Sequence, residues 1–299
     1  NAPDPQGLRA DAARAALADS GVAQGLAQSI DRVIAVRTML DSVPDAPQPF
    51  GRCANPPTTL AADLGLSPRD AIYSWVGGDQ PQALVNENAE AIFAVQCRTV
   101  LIAGSDATAA MKVALKARQK LDWTRSAEGA QDDRGLGPQL LNAYEATNGL
   151  GAPTQTYPAY EHALRARWGN SRAEHRALVS DLWASFAKVA AANPYAQFPV
   201  ARDAAFLSAE SRENYMVADP YHKWDVAQDA VNQGAAVILT SVAEADRLGI
   251  DPAKRIFLHG YGQAKDRVTS ERADFSRSVA MERAIGRALE SAGKTAAEI

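Results

Sequence analysis

Between Tyr73 and Asn86 the chain reads Tyr-Ser-Trp-Val-Gly-Gly-Asp-Gln-Pro-Gln-Ala-Leu-Val-Asn, an extended segment that passes through a glycine turn into a helix. Paired glycines free the backbone from side-chain sterics, and a proline just beyond them suits a first helical turn, where its missing N–H costs nothing. A strand that turns directly into a helix leaves backbone N–H groups at the helix start, a place suited to a carbonyl oxygen or an anion. The pattern continues through a helix over Pro81 to Ala94 and the apolar run Val100-Leu-Ile-Ala-Gly-Ser-Asp106. Upstream, Leu8 to Ser20 has helical spacing and stops at Gly21, and Ile30 to Val36 alternates as a strand. The proline-rich stretch Pro44 to Pro57 interrupts the pattern before a short helix at Thr58 to Leu64. This alternation predicts an α/β fold: a layered, mostly parallel sheet with helices on its faces.

From Ala107 to Asp219 the pattern changes to long helices and irregular linkers, including Gly129 to Gly137 and Asn148 to Pro158, and reads as a helical insertion. Its clearest helix, Arg172 to Ala192, is stopped by Asn193-Pro194. Sheet-type sequence returns at Gly234 to Thr240, followed by a helix to Leu248 and the apolar run Arg255 to His259, which together predict the start of a second layered unit. The expected organisation is therefore a first half at 1–106, an inserted helical domain at 107–219 and the start of a second half at 220–299. The helices Asp11 to Ser20 and Glu282 to Ala292, each closed by a glycine, read either as copies of one unit or as a chance likeness of two Ala-rich helices. Duplication would make the chain a piece of a longer protein, cut within its second half, with a face that missing sequence or a partner completes.

Composition narrows the functions. With 46% hydrophobic residues among 299, the chain can bury a large core, and its net charge of -4 is spread without long runs of one sign. That leaves no electrostatic footprint for nucleic acid. Only Cys53 and Cys97 occur, outside any metal-ligand spacing, which predicts neither a disulfide framework nor a structural metal and points to a reducing cytoplasm. No apolar run approaches the ~20 residues of a membrane span.

In element order the chain resembles the thiolase superfamily, two duplicated α/β halves with a helical loop domain inserted in the first. It is more specifically similar to the sterol-carrier type through Glu161-His162, Trp168-Gly169, the hexapeptide Asn193-Pro-Tyr-Ala-Gln-Phe198, Asp225, and Gln233-Gly-Ala-Ala-Val-Ile-Leu-Thr-Ser241. The resemblance implies a layered α-β-α-β-α fold, coenzyme A or acyl-CoA as ligand, and acetyl-CoA acetyltransferase-like chemistry in lipid metabolism. It also implies a homodimer through strand pairing, or else a monomer completed by further sequence. When Gln82-Ala-Leu84 is laid on the family's helix, its reactive cysteine falls on Gly77, which has no side chain to acylate. Other catalytic elements of thiolases belong to a later C-terminal part that this sequence does not contain. The resemblance therefore implies acyl-CoA binding, with acyl transfer or C–C bond chemistry that bypasses the acyl-cysteine. The alternative is a non-catalytic CoA-binding or scaffold protein.

The candidate substrate-binding residues are Gly77, Gly78, Asp79, Gln80, His162, Tyr221, His222 and His259. Asp79 or Gln80 would orient a thioester at the turn, although an Asp before a helix also serves as a cap. His162 lies on a helix that covers the pocket in the family; as an ordinary helix histidine it would face solvent. Tyr221, His222 and His259 flank expected strands, where layered sheets bind ligands. Arg165, Arg167 and Lys188 are candidates for CoA phosphates or simply for a solvated face. Gly260-Tyr-Gly262 follows an expected strand, but without a third glycine or a crossover it does not make a dinucleotide loop.

Overall fold

The computed structural model describes residues 2–43, 45–138 and 141–299; Pro44, where the proline-rich stretch begins, lies outside them. In chain order the elements begin with α1 (Pro5–Asp19), α2 (Ala23–Ser29), β1 (Ile30–Ala35), α3 (Pro56–Asp63) and β2 (Asp70–Tyr73). They continue with α4 (Gln80–Phe93), β3 (Thr99–Asp106), α5 (Thr108–Lys116), β4 (Asp132–Asp133) and α6 (Ala143–Thr147). Next come α7 (Pro153–Trp168), α8 (Arg172–Ala191), α9 (Ala204–Ser208), β5 (Met216–Ala218) and β6 (Tyr221–His222). The last are β7 (Gln233–Thr240), α10 (Val242–Leu248) and α11 (Val279–Ala292). Two compact units result: residues 1–138 with 229–259, and residues 139–228 with 260–299.

Unit one is the layered sheet. Its strands lie in the order β4-β2-β1-β3-β7, parallel except for β7. Neighbouring residues on each strand point to opposite faces. Val33, Leu101 and Ala103 therefore pack beneath α1, α2 and α3 with Ala13, Leu26 and Leu60. Ile34, Val100 and Ile102 face the other way and pack with Leu84 and Ala91 of α4. Helices on both faces explain why β1 at 33–35 and β3 at 100–103 are apolar on both sides. The first helix starts as its sequence dictates: Asp4 Oδ1 accepts from Gly7 N–H at 2.8 Å, and the left-handed Gly21 follows its end.

Three features differ from the sequence reading. The strand at Gly234 to Thr240, expected to open a second layered unit, instead completes the first sheet by antiparallel pairing from Thr99↔Thr240 to Asp106↔Gln233. Periodicity identifies a strand but not its partner. A Cβ on Gly234 would lie 2.4 Å from the Leu8 carbonyl oxygen, so glycine lets this strand run against α1. Arg255 to His259 forms no strand; Ile256 is 97% exposed, which shows that an apolar run alone does not specify pairing. Conversely Asp132-Asp133, with no apolar signal, pairs with Ile72 and Tyr73 and closes the outer side of β2.

Unit two is mainly helical. α7 ends on the left-handed Gly169, and α8 begins with a capping box in which Ser171 Oγ accepts from Glu174 N–H while Glu174 accepts from Ser171 N–H at 2.8 Å. The β5–β6 hairpin leads into Asp225, whose side chain is wholly buried against Arg176 of α8. Gly260 and Gly262 run along α11 so closely that a Cβ would lie 2.3 Å from the Ala288 oxygen and 2.1 Å from the Ala284 oxygen. Helix packing therefore accounts for this glycine pair.

Candidate functional site

In unit one the candidate site is the turn that follows β2, and Arg37 just beyond β1 holds it. Arg37, just beyond β1, donates from Nε to the Ser74 carbonyl at 2.9 Å and from its backbone N–H to Ser74 Oγ at 3.0 Å. Its guanidinium also pairs with Asp133 and lies 4.1 Å above the Tyr73 ring. The Tyr73 hydroxyl donates to Asp41 Oδ2 at 2.5 Å. Burial first, and then the Asp41 charge, pushes the Tyr73 pKa up, so this phenol is a donor at neutral pH. The exits of the two strands are thus locked together ahead of the glycines.

Gly77, Gly78, Asp79 and Gln80 stay contiguous at this turn. Gly78 and Asp79 are exposed, while Gln80 is buried and its N–H closes the turn on the Gly77 carbonyl at 3.1 Å. Asp79 adopts helical dihedrals and makes no side-chain cap, so its carboxylate is not spent on the helix start. Gly77 has φ +156°, and a Cβ there would lie 2.3 Å from Asp79 Oδ1. A mobile carboxylate can move aside, but the backbone angle suits only glycine. The turn is therefore built around the absence of a side chain. Gly77→Cys is expected to lose about 1–3 kcal/mol of stability in urea unfolding and to gain no acyl-enzyme; a cysteine variant as stable as the parent would contradict the strain argument.

In unit two, His162 and Tyr221 are each tied to a carboxylate. His162 Nε2 lies 3.4 Å from Asp219 Oδ2, which also pairs with Arg172 at 2.9 Å. The Tyr221 hydroxyl donates to Glu161 Oε2 at 2.9 Å, and the other Glu161 oxygen lies 2.6 Å from His175 Nε2. Burial, reinforced by Glu161, raises the Tyr221 pKa and keeps the phenol protonated. His222 is buried, its Nδ1 3.2 Å from the Leu207 carbonyl and 3.3 Å from Asn214 Nδ2. Its ring therefore faces protein groups. His259 belongs to unit one and is exposed beyond α10 on irregular chain. His175 and Asp219 carried no sequence signal, because the groups they meet lie across the α7–α8 turn or on another element.

Sequence reasoning also missed a basic, aromatic pocket in unit two of about 670 Å3, lined by Arg202, Arg212, Lys223, Phe206 and Trp224. Arg202 lies 3.5 Å above the Trp224 ring and Lys223 Nζ lies 4.6 Å from it. Among the described residues none of the three cations forms an ion pair. Two acids also line the pocket: Asp203 spends Oδ1 on capping α9 at 2.7 Å, and the Glu213 charge acts on Arg202 without forming an ion pair among the described residues. Phe198, the last residue of the Asn-Pro-Tyr-Ala-Gln-Phe hexapeptide, packs edge-on against Trp224 at 5.1 Å and supports the pocket's aromatic wall. The cations named from sequence are engaged or remote: Arg165 donates to the Asn170 carbonyl at 2.7 Å, Arg167 reaches Ser276 Oγ at 3.3 Å, and Lys188 is exposed in the last turn of α8. Among the described residues no three His, Cys, Asp or Glu side chains form a metal-binding group, and no helix is long and apolar enough to cross a membrane.

Neither a protein-family model nor a curated protein matches the chain. Among solved structures, a monomeric SCP2-thiolase-like protein type 1 from Mycobacterium smegmatis is 31% identical, with a TM-score of 0.80 over 100% of this chain and 55% of that one. The chain thus spans about half the length of that relative. An Ltp2–ChsH2(DUF35) aldolase at 17% identity, TM-score 0.65, covers 99% of this chain and 67% of that one. An acetyl-CoA acetyltransferase from Syntrophomonas wolfei at 16% identity, TM-score 0.57, covers 99% of this chain and 71% of that one; both show the fold alone. With the strand order, the closed turn at Gly77 and the hexapeptide in place, the chain belongs to the thiolase superfamily, in its sterol-carrier-type branch.

Proposed function

We propose that this chain binds acyl-CoA thioesters and handles them without an acyl-cysteine. The observation that carries this reading is the pocket of Arg202, Arg212 and Lys223 around Trp224, where cations without ion pairs adjoin an indole face. Coenzyme A presents the complementary chemistry: phosphates for the cations and an adenine for the ring. Burial pulls the Arg202 pKa down from its ordinary value, yet a guanidinium retains its proton at neutral pH. At the Gly77 turn, the helix-start dipole favours a polarised carbonyl, and the turn residues Gly77 to Gln80 themselves carry no thiol to accept an acyl group.

Calorimetric titration with CoA, dephospho-CoA and pantetheine tests the binding. CoA is expected to bind tightest, and Arg202→Ala or Lys223→Ala to weaken it at least about tenfold each, as befits lost charge-assisted contacts. Equal binding of pantetheine and CoA, or no binding of either, would defeat the reading. Mass spectrometry after incubation with acetyl-CoA is expected to find neither Cys53 nor Cys97 acetylated. Turnover of 3-oxoacyl or 3-hydroxyacyl thioesters then separates acyl transfer or C–C bond chemistry from the scaffold reading, which the missing nucleophile favours. Asp132-Asp133 on the outer side of β2 favours a monomer over a strand-paired homodimer. The two free thiols fit a reducing, cytoplasmic compartment.

A further inference from the structure

Unit one buries a cation that its neighbours only partly satisfy. Arg9 on α1 is 1% exposed and makes no ion pair among the described residues. Its Nη1 donates to Gln6 Oε1 at 2.6 Å and its Nη2 to the Val36 carbonyl at 3.4 Å, but its buried Nε–H has no acceptor. Asp41 has the opposite deficit: Oδ2 takes the Tyr73 hydroxyl, while the buried Oδ1 accepts no hydrogen bond and has only the largely exposed Arg52 guanidinium at 3.9 Å. Both side chains line one small cavity of about 30 Å3, and Cys53 lines it with them.

A donor and an acceptor left without hydrogen bonds beside one small cavity are both costly, and the group that answers them must accept from one and donate to the other. A hydroxyl is the smallest such group. Its oxygen accepts from Arg9 Nε–H, its proton goes to Asp41 Oδ1, and a space of this size holds it. Oxidation of the adjoining thiol supplies it covalently.

We propose that Cys53 is a modification site for hydrogen peroxide and that this cavity holds the resulting sulfenic acid between Arg9 and Asp41. The sulfur attacks one peroxide oxygen, so that an S–O bond forms as the O–O bond breaks. The departing hydroxide takes the thiol proton and leaves as water. Sulfur loses two electrons and peroxide gains them. Cys53 is half-buried, donates to Thr59 Oγ1 at 3.3 Å and lines the cavity beside the Arg9 guanidinium, so peroxide reaches its sulfur more readily than a fully buried thiol. Cys97 is the internal reference: it is 4% exposed, and burial pushes its thiol up.

The test exposes the full chain to hydrogen peroxide and follows each cysteine peptide by mass spectrometry before and after dithiothreitol. Cys53 is expected to gain one reducible oxygen at least about tenfold faster than Cys97. Cys53→Ser loses that signal. Asp41→Asn retains an acceptor for Tyr73 but removes the carboxylate that receives the S–O–H proton. Checked as folded by circular dichroism, it is expected to lose the reducible species and to pass directly to the irreversible two-oxygen form. Equal rates at the two cysteines, a reducible oxygen persisting in Cys53→Ser, or a folded Asp41→Asn protein that retains as much of it as the parent would each overturn the proposal.

Discussion

Replacing Asp225 with alanine is expected to destabilise unit two by about 3–5 kcal/mol, the largest effect of any single substitution considered, because it breaks a buried pair from one side only. The Asp225 side chain is 0% exposed and that of Arg176 16%. Two guanidinium nitrogens reach the two carboxylate oxygens at 2.6 and 3.1 Å, and the His222 backbone N–H adds a third bond at 2.8 Å. Alanine would leave a buried cation with only the Pro220 carbonyl and the Ser180 hydroxyl for company. Urea unfolding, with hydrogen exchange in α8 as the local readout, measures the loss. Unchanged protection in α8 would show that the pair is not what joins the helix to the segment after β6. Asp225→Asn should fall between, since it keeps the shape and one acceptor while giving up the charge.

Gly262→Ala follows in expected size, at about 1–3 kcal/mol, by forcing a methyl group into a helix backbone. The atom in the way is the Ala284 carbonyl oxygen, 2.1 Å from the added carbon, and a helix carbonyl cannot swing aside as a flexible side chain does. Tyr261 N–H donates to Ser291 Oγ at 3.1 Å and fixes this segment against α11, so the chain cannot simply lift away. The readout is the thermal midpoint. Gly286→Ala serves as the control, because a Cβ there meets nothing within 4 Å, and it should be neutral or stabilising. A Gly262→Ala protein that melts with the parent would return the glycine pair to a role other than packing.

The elements legible in the sequence are those with a strong local cause. α8 announced itself through its helical pattern from Arg172 and the stop at Asn193-Pro194, β1 through its alternation and β3 through the apolar run from Val100; the capping box of Ser171 and Glu174 emerged only in the structure. Pairing was not legible. Nothing local to Gly234–Thr240 states that it returns antiparallel to β3 after a long excursion, and two aspartates do not look like a strand until Ile72 and Tyr73 stand beside them. The same limit applied to function. Gly77 could be read directly, because a missing side chain is visible in one residue. The Trp224 pocket could not, since Arg202, Arg212 and Lys223 are separated along the chain and only the packing around α9 and the β5–β6 hairpin gathers them. The hexapeptide was noticed for its resemblance; its physical use, Phe198 buttressing an indole, emerged only in three dimensions.

The short strand Asp132–Asp133 has a consequence of its own. The stretch between α5 and unit two is no idle tether, because its far end supplies the last hydrogen bonds of a sheet laid down some sixty residues earlier in the chain. An insertion or deletion there would slip two residues off Ile72 and Tyr73 and bare a strand rim to any extended polypeptide passing by. Length in that segment is thus guarded by the sheet, whatever its side chains happen to be.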